Sequence, residues 1–336
     1  MSTVTINGRT VGNGHRPYII AEVGINHNGD PVLAREMVAA AWEAGADAVK
    51  IQTFITEKFL HPSHPGYQYD IDAQIDHRAE EQIWRYAAEH GINLFSTPEE
   101  FDSLNFIAAH DPALIKIAAM DFNYKDLVQA AARLAKPIIL SSGMSTLEEV
   151  LRTLRWVHEA GNDQAVVLHC VSCYPAPAEA CNLQAIATMK AVLDCPVGFS
   201  DHSVGIHVPL AAVALGADVI EKHFTLDKNL PGPDQAASMD PQDLRALVAQ
   251  AAEVRTALGH GRKVPAPQEA GPREFKRRGI YAAGPLAAGT RLDPSLVVFF
   301  APSRPGSQVT DWPLMAGRCL KRGIGAMAPI LLDDVA

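Results

Sequence analysis

Cysteine is scarce. Five thiols in 336 residues are too few to staple a chain of this length, and the odd count leaves at least one unpaired, which excludes a disulfide framework. Cys170 and Cys173 form a C-x-x-C, but no second pair stands at zinc-ribbon spacing, so buried or pocket-lining thiols are expected. Basic charge is also in short supply: 29 Lys and Arg against 38 Asp and Glu give a net charge of -9. That balance argues against a nucleic-acid-binding surface, and any anionic ligand must be held by a few local lysines. No apolar run reaches the roughly 20 residues that span a bilayer, and Met1 to Val11 shows no basic stretch followed by an apolar core. A cytoplasmic protein with no membrane partner is the expectation. What the chain does have is 48% hydrophobic against 20% charged residues, ample for a core and inconsistent with disorder.

The order of short and long segments predicts the architecture. Residues 1–14 carry two β-type runs, Thr3 to Ile6 and Thr10 to Val11, joined by Asn7-Gly8, a strong hairpin signal. A strand-like run followed by a helix-like stretch then recurs eight times. The runs are Tyr18 to Val23, Ala48 to Thr53, Asn93 to Ser96, Leu114 to Ala118, Pro137 to Ser141, Ala165 to Cys170, Pro196 to Ser200 and Asp218 to Phe224. Between them, Pro31 to Ala44, Leu147 to Ala160 and Leu183 to Leu193 have helical periodicity. Asp30-Pro31 and a capping box of Ser145 with Glu148 open helices, and Gly45, Gly161 and Gly216 close them. Alternation of this kind means a parallel sheet, and eight units predict a (β/α)8 TIM barrel over residues 1–260. A doubly wound open sheet is the competing architecture. A last helix, Pro241 to Leu258, precedes a Gly- and Pro-rich linker at 261–274. Residues 275–336 change character to short β pieces, Gly279 to Ala283 and Val297 to Phe300, a mostly-β domain small for a core of its own.

In such a barrel chemistry collects where the strands end. The first strand ends in Glu22 and the turn to His27, and the second presents Lys50 and Gln52 on one side because strand side chains alternate. Thr97, Lys116 then Asp121, Ser141, His169 with Tyr174, Ser200 with His202, and Glu221 with His223 follow on the others. Polar groups at every strand end are what a purely structural barrel avoids, since each desolvated, unpaired polar atom costs about 1–3 kcal/mol. Lys50 and Lys116 with the hydroxyls of Thr97, Ser141 and Ser200 suit a phosphate. His202 and His223 lie on consecutive strand ends, roughly 4.8 Å apart, where two imidazoles can share a divalent ion. Glu22 or water oxygens would complete a mixed N/O shell of the Mn²⁺ or Mg²⁺ type.

The stretches AEVGINHNGD (21–30), VKIQT (49–53), FSTP (95–98), PIILSSGM (137–144), LHCVSCYPAP (168–177), GFSDHS (198–203) and EKHFTLDKNLPGPDQAASM (221–239), in this order, resemble the sialic acid synthases. The segment around Ser303-Arg304-Pro305-Gly306 resembles their antifreeze-like (SAF) domain. The resemblance implies condensation of phosphoenolpyruvate with N-acetylmannosamine, or a related N-acyl amino sugar, to a nine-carbon 2-keto acid and phosphate. It implies phosphoenolpyruvate at Lys50, Thr97, Lys116, Ser141 and Ser200, and sugar contacts at Gln52, Tyr174, Asp234 and Arg304. His202 and His223 would hold the metal, Mn²⁺ above Mg²⁺ or Co²⁺, and Glu22, Asp121 and the two histidines form the catalytic set. Arg304 would reach from the small domain into the partner subunit's barrel, which implies a domain-swapped homodimer. Two departures stand out: Ala119 replaces a serine expected at the phosphate, and Asp121 stands where many members carry Glu. A synthase acting on a diacetamido sugar, as for legionaminic or pseudaminic acid, and an inactive carbohydrate-binding barrel remain alternatives. Ice binding is disfavoured, because residues 275–336 have Thr only at 290 and 310.

Overall fold

The computed structural model describes residues 3–336 and divides after Gly259 into two compact units. The first opens with a hairpin of β1 (Thr3–Ile6) and β2 (Arg9–Gly12). Asn7 and Gly8 take φ of 47° and 74°, the left-handed pair that a two-residue hairpin turn needs. Eight strands follow: β3 (Tyr18–Gly24), β4 (Ala48–Thr53), β5 (Leu94–Pro98), β6 (Ile115–Ile117), β7 (Ile138–Ser141), β8 (Ala165–Cys170), β9 (Val197–Asp201) and β10 (Val219–His223). They run in the order β5-β4-β3-β10-β9-β8-β7-β6, and every registered pair is parallel. Because β10 pairs with both β9 and β3, the first and last repeats join. A doubly wound sheet would leave them apart, so the chain is a (β/α)8 barrel, with β5 and β6 side by side at the remaining seam.

Alternation along the strands builds two cores. Val49, Ile51, Ile117, Leu140 and Val167 face the helices, whereas Ile20, Ala48, Phe95, Leu114, Ile139, Leu168 and Val219 fill the barrel interior, plugged from below by Val4, Ile6 and Val11 of the hairpin. On β9 this interior place belongs to Gly198. A Cβ there would stand 2.5 Å from Val219 O and 2.6 Å from Leu168 Cδ2, so the neighbouring strand leaves no room for one. Most helix ends match the sequence signals; Asp30 caps Pro31–Glu43 with its side chain. The capping box is displaced by one residue: Thr146 and Glu149 form it, not Ser145 and Glu148. Ser145 is held in the preceding turn, its N–H donating to Ser142 O, and Thr146, with extended backbone, is the residue whose hydroxyl accepts from Glu149 N.

The second unit has its own small core of Ile280, Ala282, Leu292, Met315 and Ile330, built on the antiparallel pair β11 (Gly279–Ala282) and β12 (Val297–Phe300). The stretch read as a linker is partly helical: a 3-10 turn at Pro267–Glu269 leads into a helix at Ala270–Lys276. Glu269 accepts a hydrogen bond from Ala266 N, and Pro267 brings a helix-compatible φ to the first turn, so the prolines there start a helix. Among the described residues no helix is long and apolar enough to cross a membrane.

Candidate active site

Two residues above the floor of the barrel, seven of the eight strands turn polar, β8 alone passing from Leu168 to Cys170. Ile20 gives way to Glu22, Ala48 to Lys50, Phe95 to Thr97, Leu114 to Lys116, Ile139 to Ser141, Gly198 to Ser200 and Val219 to Glu221. The period of two therefore stacks a polar layer directly on the hydrophobic one. The layer opens into a cavity of about 310 Å³. Eleven of the thirteen residues singled out from the sequence line it, the exceptions being Asp121 and Arg304.

Lys50 and Lys116 are both buried. Lys50 ion-pairs with Glu22 and donates to Thr97 Oγ1 at 2.8 Å. Lys116 bonds Glu221 Oε1 at 2.9 Å, and Ser200 Oγ donates to the same oxygen at 3.0 Å. Two amines thus face two carboxylates on the floor of the cavity. Burial pulls the Lys50 ammonium down to about 7. Burial alone would push the Glu221 carboxyl up, but Lys116 and Lys50 outweigh it and hold it at about 2. Ser141 Oγ is buried in the same layer with no hydrogen-bond partner, a donor left free for a ligand oxygen.

At the other end of the cavity the His202 and His223 rings lie 5.4 Å apart, centroid to centroid. Burial keeps both neutral, helped at His202 by the neighbouring His223 and at His223 by Lys50: His202 falls to about 4 and His223 to about 3. His202 Nδ1–H donates to Val171 O at 2.7 Å, which fixes the tautomer and leaves Nε2 as an open lone pair. His223 Nδ1 is buried without a hydrogen-bond partner, 3.7 Å from Asp234 Oδ2. Two neutral, unclaimed imidazole nitrogens are suited to a divalent ion. Of the two ways to complete the shell, Glu22 or water, Glu22 has one oxygen paired with Lys50 and the other, Oε1, buried without a hydrogen-bond partner. Among the described residues no group of three or more His, Cys, Asp or Glu converges as a metal cluster. Tyr174 packs its ring 4.1 Å from that of His202. Gly24, at φ 54°, closes this corner, since a Cβ there would meet Gln52 Oε1 and Glu22 Oε1 at 3.0 Å.

Asp121 lies in the loop after β6 and is buried; burial first, and then the negative charge of Glu99, push its carboxyl up to about 9. Arg304 belongs to the second unit, where it is exposed. Glu221 went unassigned in the sequence reading, although its place two residues before His223 puts it on the same face of β10. Glu99 carried no signal at all.

Fold and cavity together define a class: a (β/α)8 barrel with two buried lysines, two carboxylates and a pair of neighbouring imidazoles at the carboxyl ends of its strands. The profile of the NeuB family matches residues 37–263, and the chain belongs to that family, with a small SAF-like domain following the barrel. It is 38% identical to an uncharacterized protein of Methanocaldococcus jannaschii, over 90% of both chains. It is 37% identical to the N,N'-diacetyllegionaminic acid synthase of Legionella pneumophila, over 98% of both. Among solved structures, the N-acetylneuraminic acid synthetase of Leptospira borgpetersenii superposes with a TM-score of 0.76 at 33% identity, over 81% of this chain and 95% of that one.

Proposed function

We propose that this chain condenses phosphoenolpyruvate with an N-acyl amino-sugar aldehyde and water, giving a nine-carbon 2-keto sugar acid and phosphate. The observation that carries the reading is the meeting, in one cavity, of Lys50 and Lys116 with the unpartnered Nδ1 of His223 and the His202 ring, whose Nδ1 is held by Val171 O. Lys50, Lys116, Thr97, Ser141 and Ser200 hold phosphoenolpyruvate, with the phosphate drawing the lysines away from Glu22 and Glu221. Gln52, Tyr174 and Asp234 orient the sugar, with Arg304 supplied across a swapped dimer. A divalent ion, Mn²⁺ in first place, held by His202 and His223 supplies Lewis acidity at the aldehyde oxygen. The enol carbon bonds to the aldehyde carbon, water adds at the carbon bearing phosphate, and the bond from that carbon to the phosphate oxygen breaks. The two lysines, fixed before the reaction begins, stabilise the charge that departs with phosphate.

Which sugar is taken divides the reading. N-acetylmannosamine is one candidate; the Legionella relative, matched along nearly its whole length and named for a diacetylated product, favours a 2,4-diacetamido sugar as the second. Purified protein with phosphoenolpyruvate, Mn²⁺ and a panel of N-acyl hexosamines decides it by phosphate release. Release with N-acetylmannosamine supports the first, release only with a diacetamido sugar the second, and release with none overturns the synthase reading.

A further inference from the structure

Each of the two neighbouring imidazoles follows directly on a buried charge. Asp201 ends β9 one residue before His202, and Lys222 precedes His223 on β10. The two are register partners on adjacent strands. Like Phe199 and Ile220 two residues before them, they point away from the cavity into the layer between strands and helices, where their side chains are 0% and 1% exposed. Lys222 Nζ donates to Asp201 Oδ2 at 2.6 Å and also to the backbone carbonyl of Ser203. Asp201 Oδ1 accepts from Ser203 N–H at 2.9 Å. The residue after His202 is therefore clamped through both its N–H and its C=O.

His202 sits inside that clamp. Its carbonyl accepts from Ala176 N–H at 2.9 Å and its ring Nδ1–H donates to Val171 O, so the loop after β8 holds it from the other side. The registered ladder of β9 and β10 ends at the Asp201 and Lys222 pair, and what ties the two strand ends together behind the rings is this ion pair. Barrel packing alone does not call for it. Two charges taken out of water are repaid only by good geometry, and apolar residues of similar volume are often neutral or stabilising in such a place. The charged pair differs from an apolar one in what it can bond, and here that is the backbone of Ser203.

We propose that Asp201 and Lys222 are positioning residues, which fix the turn through His202 and with it the separation of the two imidazoles and the tautomer of His202. That the imidazoles hold a divalent ion rests on the synthase reading; that the pair holds the imidazoles does not. Groups that aim a ligand imidazole from behind contribute about 10- to 100-fold to metal affinity. With both residues replaced by apolar ones, strands and helices keep their packing, while the turn from Asp201 to Ser203 loses both of its tethers. The His202 ring then samples several orientations, and its Nδ1–H no longer stays on Val171 O.

The full-length double variant Lys222→Met/Asp201→Leu separates positioning from packing. Mn²⁺ binding, followed by titration calorimetry, weakens about tenfold or more, while the urea midpoint is unchanged or raised. Phosphoenolpyruvate binding, measured without metal at the other end of the cavity, is also unchanged. Nitrogen NMR of labelled histidines reads the rings with no metal present: His202 shows the single Nδ1–H tautomer in the wild type and an average of the two tautomers in the variant. Unchanged Mn²⁺ affinity in the double variant overturns the proposal. A loss of Mn²⁺ affinity matched by an equal loss of phosphoenolpyruvate binding overturns it too, since the pair would then be a general prop of the barrel. Should the wild type bind no Mn²⁺, the metal reading falls and the NMR decides alone, an unchanged His202 tautomer overturning the positioning role. If the double variant does not fold, Lys222→Met/Asp201→Asn, which keeps an acceptor for Ser203 N–H and removes the tether on Ser203 O, is measured in its place with the same outcomes.

Discussion

Lys116 Nζ and Glu221 Oε1 lie 2.9 Å apart, reaching toward each other from β6 and β10. Glu221 also accepts from Ser200, so one buried carboxylate holds both a lysine and a hydroxyl in position. Under the proposed function it is a stand-in for the phosphate, to be displaced when phosphoenolpyruvate binds.

Lys116→Met leaves Glu221 buried with Lys50 at 3.9 Å as its remaining cation. Breaking a buried pair from one side costs about 3–5 kcal/mol, to be seen in urea unfolding. KM for phosphoenolpyruvate rises on the order of 30-fold or more, equivalent to a charge-assisted bond of about 2 kcal/mol. The double variant Lys116→Met/Glu221→Leu regains most of the stability and none of the phosphate release, separating folding from function.

His223→Ala removes one of the two open nitrogens. Mn²⁺ binding by titration calorimetry and metal-dependent phosphate release are lost together, while the far-ultraviolet circular dichroism is unchanged. Retained activity would take His223 out of the metal site.

Ala119→Ser places a hydroxyl on the cavity wall beside the phosphate pocket, where Ala119 already lines the space. One added hydrogen bond of about 1 kcal/mol predicts a roughly fivefold lower KM for phosphoenolpyruvate. A raised KM would mean that the alanine is a steric requirement of this site.

Arg304→Ala tests the swapped tail. The side chain is exposed in its own unit, so its loss leaves the melting temperature in place. KM for the sugar rises while Mn²⁺ affinity is constant; unchanged sugar kinetics would argue against a crossing arginine.

Glu80 gives a pH-dependent stability. Burial pushes its carboxyl up to about 7, against hydrogen bonds from Thr53 and Trp84 that favour the ion. The folded state therefore holds the proton more tightly than the unfolded chain, where a glutamate titrates near 4.3. Stability falls as pH rises from about 4.3 to about 7 and is flat for this group above that. Glu80→Gln keeps the Oε1 acceptor and removes the titration, so relative to wild type it gains roughly 2–3 kcal/mol between pH 5 and 8. Denaturant unfolding at those two pH values checks it.

Period two and period 3.6 are local properties, and what depends on them was legible. Ile20 and Glu22, Ala48 and Lys50, or Leu114 and Lys116 stand two apart, so the same alternation that buries the first of each pair aims the second into the site. The lysines, the hydroxyls and the two histidines were readable for that reason, and Glu221 could have been by the same rule. Caps were legible only to within a residue: Ser145 and Thr146 are alike in sequence, and the turn bond to Ser142 O chooses between them. Proline and glycine in 261–274 could mean a linker or a helix start, and the Glu269 contact decides for the helix over part of it.

The sequence by itself therefore determined the barrel, its floor and the chemical types at its strand ends, because each follows from spacing along one strand or helix. Only the tertiary structure decided which carboxylate meets which partner. Glu22 turned one oxygen to Lys50, Glu221 crossed the barrel to Lys116, and Glu99 took the Gln52 amide. Those choices depend on which side chains share a small buried volume. They are settled when the barrel closes, by the cost of leaving a desolvated charge without a partner.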